Sequence, residues 1–522
     1  VPVSPRAIGI DFGSTNSAAA VLDHDGRPRI LTTPEGTTTM PSMVGLIPEH
    51  GRVRAVVGEA ARDLAAREPE LVITGIKRLL GRRADDPEIQ RWALGLPFEV
   101  VAAANGDAWV RVRHIEVAPP VVAAVILAEL RANARRFLDD EVDEAVITVP
   151  ARFDARQRQA VKDAAAIAGL RVRRLVSEPT AAALGHGAHR GVDRRYAVCD
   201  LGGGTFDVSL CDVADGIFEV LATAGDPLLG GDDVDRVVAE QFVAQLRGTG
   251  VDVARHPPAR RRLTAEAQRI KHALSEHASA DARVDGVMAG LDLRRTVRRD
   301  ELELWSAPVI RRLEAPCHAA LTRAGLGAAD LDEVLLVGGM TRMPAVRRKL
   351  AQALGREPTV IPNPDEVVAV GAAIEMARLE GRIDGVLLLD VTAQDLAIAA
   401  AGGGADVIVA AGSVVPTREH RLLTTQHDGQ RELVFTLLEG AAAAPGQDQL
   451  LARYQLSELP TAPAGDVLVL VEVTVDVDGT SRVTASELVS GERPPIRIIG
   501  HAGLAPVALA ELARTIAEWR AP

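Results

Sequence analysis

The stretch Asp200-Leu-Gly-Gly-Gly-Thr-Phe-Asp207 constrains the fold of this chain more than any other. Apolar runs flank it, from Tyr196 to Cys199 and from Val208 to Leu210, and this pattern predicts a strand, a tight turn and a returning strand. Three glycines let the backbone of the turn approach a ligand closely, and a nest of amides suits phosphate oxygens. The two carboxylates suit a hydrated Mg²⁺ that bridges to such a phosphate. The motif by itself is equally typical of a plain hairpin turn, so its interpretation needs a second observation.

The N-terminal segment repeats this pattern. In Ile8-Gly-Ile-Asp11-Phe-Gly13-Ser14-Thr15-Asn16 an apolar strand again leads to an aspartate, a glycine turn and two hydroxyls, and the apolar run from Ala18 to Leu22 follows. A chance turn is not expected to recur with its acid and its hydroxyl in register. We therefore predict two similar α/β halves that face each other across a nucleotide cleft.

Length and composition limit the remaining possibilities. With 522 residues the chain has room for roughly three or four domains. The net charge of −12 argues against a nucleic-acid-binding surface, and three scattered cysteines argue against a disulfide framework or a zinc site. No apolar segment is long enough to span a membrane and no leader-like segment precedes the first strand, which favours a cytoplasmic protein. No Gly-x-x-x-x-Gly-Lys-[Ser/Thr] stretch is present, so a P-loop enzyme is not expected.

The hydrophobic pattern divides the chain into four regions. Strand and helix patterns alternate over 1–385, which predicts an α/β domain. An apolar linker follows at 386–393. Alternation of apolar and polar residues then dominates 394–500, as in a β-sandwich. The last region, 501–522, contains one expected helix from Ala505 to Trp519.

Three helices in the first region have clear sequence signals. The pattern turns helical from Glu59 to Leu80. A helix is expected from Asp154 to Ala168, with Gly169 as its stop. A further helix, Val367 to Leu379, is expected to be capped by the segment Asn363-Pro-Asp-Glu366.

Nine segments of the chain resemble the DnaK-type chaperones of the seventy-kilodalton heat-shock family. One such loop would be weak support, whereas nine in the family's order form a specific match. The likeness is dense over residues 1–400 and weaker to about residue 500. The matching segments are Ile8–Asn16, Gly75–Gly81, Ala145–Val149 with Pro150, Glu178–Ala183, Asp200–Asp207, Leu229–Asp233, Val337–Pro344, Asn363–Glu366 and Val386–Val391.

The resemblance implies a fold and a set of ligands. The expected fold is an actin-like ATPase domain, with two similar lobes around a nucleotide cleft, followed by a short apolar linker and a β-sandwich that grips extended peptides. The expected ligands are ATP or ADP and Mg²⁺, with K⁺ as an accompanying ion. The expected partners are unfolded or extended polypeptide clients, a J-domain co-chaperone and a nucleotide exchange factor, with no nucleic acid and no membrane. The helical lid of family members is nearly absent here, so bound peptide is expected to leave fast.

The resemblance also assigns roles to matching positions. Lys77 would lie beside the γ-phosphate and Glu178 would orient the attacking water. Taken singly, the first is typical of a surface charge and the second of a turn residue. Asp200 and Thr205 complete the expected catalytic set, while Asp11, Asp200 and Asp207 would hold the waters of Mg²⁺ or accompanying ions. The residues expected around the phosphates and adenosine are Gly13, Ser14, Thr15, Gly202, Gly203, Gly204, Thr205, Gly230, Gly231, Lys271, Ser275, Gly338, Gly339, Arg342 and Asp365.

Four positions in or near this site depart from the family pattern. Ser14 stands for a threonine and keeps a hydroxyl, whereas Gln268 stands for a glutamate near the ribose and loses its charge, which is expected to lower nucleotide affinity. Arg152 replaces an aromatic residue and Ser177 replaces an asparagine. The positions that the family uses for interdomain signalling are retained. An alternative interpretation of the three charged residues among them is that they are ordinary exposed charges. These positions are Pro150, Arg158, Arg174 and Asp390.

The sandwich region departs more strongly. Its apolar pocket positions are retained, as burial of a substrate leucine requires, but a methionine of the arch over the peptide becomes Ala401 and an alanine becomes Gln426. The alternative reading is that the apolar positions are simply sandwich core. The expected peptide-facing residues are Ile398, Ala401, Gly404, Leu423, Gln426, Leu433, Phe435 and Val477.

Three functions fit the sequence in different ways. The first is an ATP-dependent chaperone, in which hydrolysis is coupled through the linker to binding and release of apolar peptide segments. The second is a nucleotide-sensing scaffold with weak or no peptide binding, favoured by the altered arch. The third, a small-molecule kinase of the actin-like fold, is disfavoured by the β domain and by the apolar linker.

Overall fold

A computed structural model describes residues 7–520 apart from 24, 50, 188–192, 248–252, 289, 360, 384–386, 401–403, 441–448, 502–503 and 505. The first half of the α/β region contains β1 Ala7–Asp11, β2 Asn16–Leu22, β3 Pro28–Ile30, β4 Met40–Pro41, β5 Val44–Glu49, β6 Arg52–Val57, β7 Val72–Ile73, β8 Glu99–Ala102, β9 Ala108–Val112, β10 Ile115–Val117, β11 Glu144–Val149, β12 Arg171–Ser177, α1 Glu59–Arg67, α2 Pro87–Ala93, α3 Pro119–Leu138, α4 Ala155–Ile167 and α5 Glu178–His186. Among the described residues, no helix is both long and apolar enough to cross a membrane.

The second half of the α/β region contains β13 Arg194–Leu201, β14 Phe206–Ala214, β15 Ile217–Asp226, β16 Ser279–Met288, β17 Leu291–Arg298, β18 Glu333–Val337, β19 Leu387–Val391, α6 Gly231–Arg247, α7 Pro257–Glu276, α8 Arg299–Arg311, α9 Glu314–Ala324, α10 Pro344–Leu354 and α11 Val367–Leu379. The C-terminal region contains β20 Leu396–Ala400, β21 Gly404–Val409, β22 Val414–Val415, β23 Thr417–Thr424, β24 Leu433–Glu439, β25 Gln449–Leu456, β26 Leu468–Val475, β27 Ser481–Glu487, β28 Ile496–His501 and α12 Pro506–Trp519. Short 3₁₀ helices lie at Pro69–Leu71, Ile76–Leu79, Val253–Arg255, Ala328–Asp330 and Gly339–Arg342.

The two halves of the α/β region share one strand topology. In the first, β1 pairs antiparallel with β2 and parallel with β11, and β11 pairs parallel with β12. In the second, β13 pairs antiparallel with β14 and parallel with β18, and β14 pairs antiparallel with β15. Each predicted phosphate loop therefore joins the first two strands of its own sheet. The repeat that the two loops predicted is present in the fold.

Helices α5 and α11 pack against each other between the two sheets. Their small, apolar faces share one buried cluster with residues of both sheets, such as Val146 of β11 and Val198 of β13. The larger clusters of each half lie on the outer sides of the sheets. The cleft between the halves is thus closed at its base by packed helices.

The C-terminal strands form two sheets with a shared core. One has the order β21-β20-β24-β25-β28 and the other the order β23-β26-β27. Burial alternates along β24 and β26, so every second side chain faces the core, as the sequence pattern predicted. The segment expected to be a linker contributes β19, which pairs parallel with β15 and antiparallel with β22 and so extends the second α/β sheet. The boundaries 1–385, 386–393, 394–500 and 501–522 stay predictions.

Several local expectations are corrected or refined. The helix signal from Glu59 to Leu80 is only partly right, because α1 ends at Arg67 and Pro69 and Gly75 begin separate short turns. The expected start of α4 is confirmed, since Asp154 forms a capping box with Gln157. The segment expected to cap α11 does precede it, with Glu366 as the N-cap residue, but the Glu366 side chain makes no cap hydrogen bond. The backbone carbonyl of Asn363, not its side chain, accepts from the N–H of Val367.

Helix α12 packs against the first half of the α/β region, on α3, α4 and β6. Ile516 is buried there, and Leu509 and Leu512 pack against the same core. Arg520 forms a salt bridge with Glu129 of α3. The sequence left open whether this helix covers the sandwich or a partner; its apolar face instead packs on the first half of the α/β region of its own chain.

Candidate nucleotide-binding site

A cavity of about 680 Å³ lies between the two α/β halves, where the two predicted phosphate loops face each other. It collects most of the residues that the sequence selected. Those lining it are Asp11, Gly13, Ser14, Thr15, Lys77, Glu178, Asp200, Gly202, Gly203, Gly204, Thr205, Gly231, Lys271, Ser275, Gly338, Gly339, Arg342 and Asp365, together with Gln268.

The glycines of the second loop leave little room for a side chain. A Cβ on Gly203 would lie 2.1 Å from Oγ1 of Thr15 in the opposite loop. A Cβ on Gly204 would lie 2.5 Å from a guanidinium nitrogen of Arg78, whose Nη2 donates a hydrogen bond to the Gly204 carbonyl. The ring of Trp92 lies against this guanidinium, with its centroid 5.4 Å from the Arg78 Cζ. Lobe closure thus brings amide-rich turns from both halves to one place.

Three carboxylates and one lysine form the floor of the cavity. Lys77, only 3% exposed, donates from Nζ to the Phe12 carbonyl and forms a salt bridge with Glu178. Burial, followed by the nearby Glu178 carboxylate, raises the pKa of Asp11 to about 7. Burial, Glu178 and Asp11 raise the pKa of Asp200 well above its ordinary value. One lysine does not balance three acids in a buried place, so the cavity favours an added cation.

The charge and donor types fit a hydrated Mg²⁺ bound with a phosphate. Carboxylate oxygens are the ligands that Mg²⁺ prefers, and it usually keeps several waters when it binds nucleotide phosphates. Among the residues that the structure describes, no three His, Cys, Asp or Glu side chains converge as a direct metal-ligand set. Asp11 and Asp200 line the cavity, and they would hold such an ion through its waters.

Two of the selected residues lie outside the cavity. Asp207 is paired with Asp200 in the β13–β14 register, but its side chain is buried beside Gly225. A Cβ on Gly225 would lie 2.5 Å from Oδ1 of Asp207. Burial raises its pKa to about 7, and Arg152 opposes this shift. Gly230 packs against the backbone of Gly203. Neither residue lines the cavity, and the roles expected for Asp207 at the ion and for Gly230 at the phosphates stay predictions.

The far end of the cavity carries the residues expected around adenosine. Lys271 is buried and donates from Nζ to Oδ2 of Asp235 at 2.9 Å and to the Gly231 carbonyl at 3.1 Å. Arg342 pairs with Asp365 at 2.5 Å across the opposite wall. Lys271 therefore fixes the start of α6, and the cavity wall there consists of preformed polar pairs.

The cavity also has lining residues that the sequence analysis did not select. Those on α7 follow the helical spacing of Gln268, Lys271 and Ser275, and this periodicity was the signal that could have found them. Arg62 enters from α1 of the other half, and no motif indicated it. The unselected lining residues are Asn16, Arg62, Asp232, Ala265, Arg269, His272, Glu276, Val337, Met340, Met343, Pro364 and Val368.

Two of the expected interdomain arginines reach across between regions. Arg158 donates from Nη1 to the Asp478 carbonyl of the sandwich at 3.1 Å. Arg174 pairs with Glu375 at 2.7 Å and donates from Nη2 to the Leu388 carbonyl of β19 at 3.2 Å. Both arginines are buried, so the alternative reading as exposed charges is wrong for them. Asp390 is half-buried in β19 and accepts the N–H of its own neighbour Val391.

Pro150 lines a second, smaller cavity next to Lys77 and Thr205. The position thus lies between the nucleotide cavity and the start of α4, whose first turn contacts the sandwich. Arg152, in the short turn that precedes α4, donates to the Gly225 carbonyl at 2.6 Å. Ser177 is buried and its hydroxyl bonds that of Thr180 at 2.6 Å.

The expected peptide-facing residues divide into two groups. Ile398, Leu423, Leu433 and Phe435 are buried in the sandwich core, where the Phe435 ring stacks on Tyr454 with centroids 5.2 Å apart. Burial of these four residues agrees with the interpretation that they form the sandwich core, and it does not exclude a peptide-binding pocket. Gln426 and Val477 are exposed, Gly404 begins β21, and Ala401 lies outside the described residues.

The fold and the cavity define a two-lobed α/β nucleotide-binding protein with an attached β-sandwich. The family model described as Hsp70 protein matches residues 7–520, so the chain belongs to the Hsp70 family. Hsp70 proteins are in general ATPases that bind ATP or ADP with Mg²⁺ and act as ATP-dependent chaperones on unfolded clients, together with co-chaperones. The family expectation is thereby confirmed. The DnaK-type assignment, the reduced lid and the residue roles stay predictions.

Proposed function

We propose that this chain is a DnaK-type, ATP-driven chaperone that couples hydrolysis in the cleft to exchange of apolar peptide segments in the sandwich. The observation that carries the proposal is the convergence of both glycine loops on the Lys77–Glu178 pair. Phosphoryl transfer depends on positioned charge and a held nucleophile more than on covalent chemistry. The cavity offers both in one place.

The roles of the residues follow from where they lie. The loops would hold the phosphates through backbone amides and the hydroxyls of Ser14, Thr15 and Thr205. Lys77 would stabilise negative charge on the γ-phosphate. Glu178 would orient a water that attacks the γ-phosphorus, so that the bond to the β-phosphate oxygen breaks and ADP and phosphate are released. Mg²⁺, when bound, supplies charge neutralisation of the phosphates.

Coupling to the sandwich would run through β19. This strand lies in the second α/β sheet, and Arg174 holds its Leu388 carbonyl while pairing with Glu375 of α11. A change in the angle between the two halves on nucleotide binding would therefore shift β15, the strand with which β19 pairs. The partners in this scheme are unfolded clients, a J-domain co-chaperone and a nucleotide exchange factor, in a cytoplasmic setting.

The test of this function is ATP hydrolysis measured with and without a denatured client and a J-domain protein. We expect the chain to hydrolyse ATP by itself and to turn over faster when both the client and the J-domain protein are added. Hydrolysis that no client stimulates would overturn the chaperone proposal and support the nucleotide-sensing scaffold. Phosphorylation of a sugar in a metabolite screen would instead support a kinase.

The coupling route makes a separate prediction. Arg174→Ala should reduce client stimulation of turnover by roughly 5-fold or more, because two-site coupling of this kind is typically worth about 1–3 kcal/mol. The matched control is Arg173→Ala, which removes a neighbouring, more exposed arginine that pairs with Glu144, the first residue of β11. Equal stimulation in Arg174→Ala and in the wild type would rule out this route. Asp390→Ala should weaken stimulation as well.

A further inference from the structure

The first turn of α4 is one of the places at which the sandwich contacts the α/β region, and two buried carboxyl groups lie there. Asp154 is the N-cap of α4, and Glu439 comes from the end of β24 in the sandwich. Asp154 is 3% exposed and Glu439 is 6% exposed. Asp154 belongs to the α/β region, so the contact of Glu439 with Ala155 is what brings an acid of the sandwich to this helix end.

Both carboxyl groups use the backbone of α4. Glu439 Oε2 accepts the N–H of Ala155 at 2.9 Å, and Asp154 Oδ1 accepts the N–H of Gln157 at 2.8 Å. Ala155 itself packs into the hydrophobic core of the sandwich. The helix end thus supplies two N–H donors to two acids, and its positive dipole end faces both.

The cations nearby are engaged with other groups. Arg156 pairs with Asp107 at 3.2 Å and donates to the Leu450 carbonyl at 3.4 Å. Arg158 donates to the carbonyls of Phe153 and Asp478. Within the described part of the chain, neither Asp154 nor Glu439 has a salt bridge of its own. Arg156 and Arg158 still face Glu439, and Arg82 and Arg156 face Asp154, at longer range.

Burial decides the balance of these effects. Burial, followed by the facing Asp154 carboxyl, raises the pKa of Glu439 from 4.5 to about 8, and the Ala155 N–H and the two arginines only partly oppose this. Burial likewise raises the pKa of Asp154. When the sandwich is released, Glu439 returns to water and to its ordinary pKa. A group with a raised pKa in the docked arrangement favours docking at low pH and opposes it as pH rises.

We propose that seating of the sandwich on α4 takes up a proton at the Asp154–Glu439 pair, so that acidification favours the docked arrangement and alkalinisation releases it. The device concerns docking alone and acts without ATP hydrolysis. It would bias the arrangement in which β19 is paired with β15. Between the two pKa values of Glu439, the docking equilibrium should fall by up to about tenfold per pH unit, since one proton is exchanged.

The test uses the full nucleotide-free chain with two dyes. Leu94→Cys and Val489→Cys place a donor and an acceptor on the two regions, because Leu94 is 89% exposed and Val489 is 84% exposed while all three native cysteines are buried. Energy transfer is followed from pH 5.5 to 8.5 across sub-denaturing urea, which keeps the equilibrium within range. We expect docking to weaken as pH rises through this window.

Three variants separate the proposal from a general effect of pH. Glu439→Gln keeps an acceptor for the Ala155 N–H and should make docking stronger and remove most of its fall with rising pH. Asp154→Asn keeps a good helix cap and should reduce the total change, because Glu439 loses its facing charge. Glu419→Gln, an exposed position on β23, is the matched control and should behave as the wild type. A pH-independent wild type, or a Glu439→Gln variant with the wild-type pH response, would overturn the proposal.

Discussion

Lys77→Ala should lower the single-turnover rate of ATP hydrolysis by about 10²–10³-fold, the loss typical when one preorganised charge donor is removed from an active site. Lys77 is the lysine that contacts the acidic floor, through its salt bridge with Glu178. Without it the transferred phosphoryl group loses its positive partner and Glu178 loses the contact that orients it. Rapid-quench measurement with excess protein reports the chemical step directly.

The control for this variant is Lys349→Ala. Lys349 lies on α10, pairs with Glu314 and does not line the cavity. Its hydrolysis rate should stay within twofold of the wild type. Binding of Mg·ADP should survive in Lys77→Ala, because the loops hold phosphates largely through backbone amides. A Lys77→Ala variant that keeps more than a tenth of wild-type hydrolysis contradicts the assigned role.

The parts of the site that the sequence predicted are local in the chain. Asp11 is the last residue of β1 and Asp200 is the last but one of β13, and the following glycines and hydroxyls are within a few residues of them. Local spacing of this kind fixes which atoms face a ligand, because the turn that joins two paired strands has little freedom. The same reasoning predicted the repeated topology of the two halves.

The features that the sequence did not predict depend on contacts between distant segments. Asp207 looked equivalent to Asp200, yet its side chain is buried against Gly225 on the next strand. The contact between Ala155 and Glu439 joins residues 284 apart. The sequence did not predict the packing partner of α12 for the same reason. An apolar helix face indicates that the face is buried, but it does not identify the surface that buries it.

Gly371→Ala should destabilise the α/β region by several kcal/mol and lower its melting temperature by roughly 5–10 °C, using about 2–4 °C per kcal/mol for a large domain. A Cβ on Gly371 of α11 would lie 1.7 Å from the Ala181 carbonyl of α5. Alanine is otherwise favoured over glycine inside a helix by about 1 kcal/mol, so the sign of the change depends on this contact alone. Because the obstacle is backbone, a side-chain rotation cannot relieve it, and the helices must move apart.

That movement has a consequence at the site. Glu178 is the first residue of α5, one turn before the crossing at Ala181, and Asp365 lies two residues before the start of α11. Separation of the helices should therefore shift Glu178 relative to Asp365 and weaken nucleotide binding as well as stability. Gly95→Ala is the matched control, because a Cβ there meets open space. Calorimetric melting with and without Mg·ADP separates the loss of stability from the loss of nucleotide binding. A Gly371→Ala variant with the same melting temperature as Gly95→Ala would contradict a closely packed crossing.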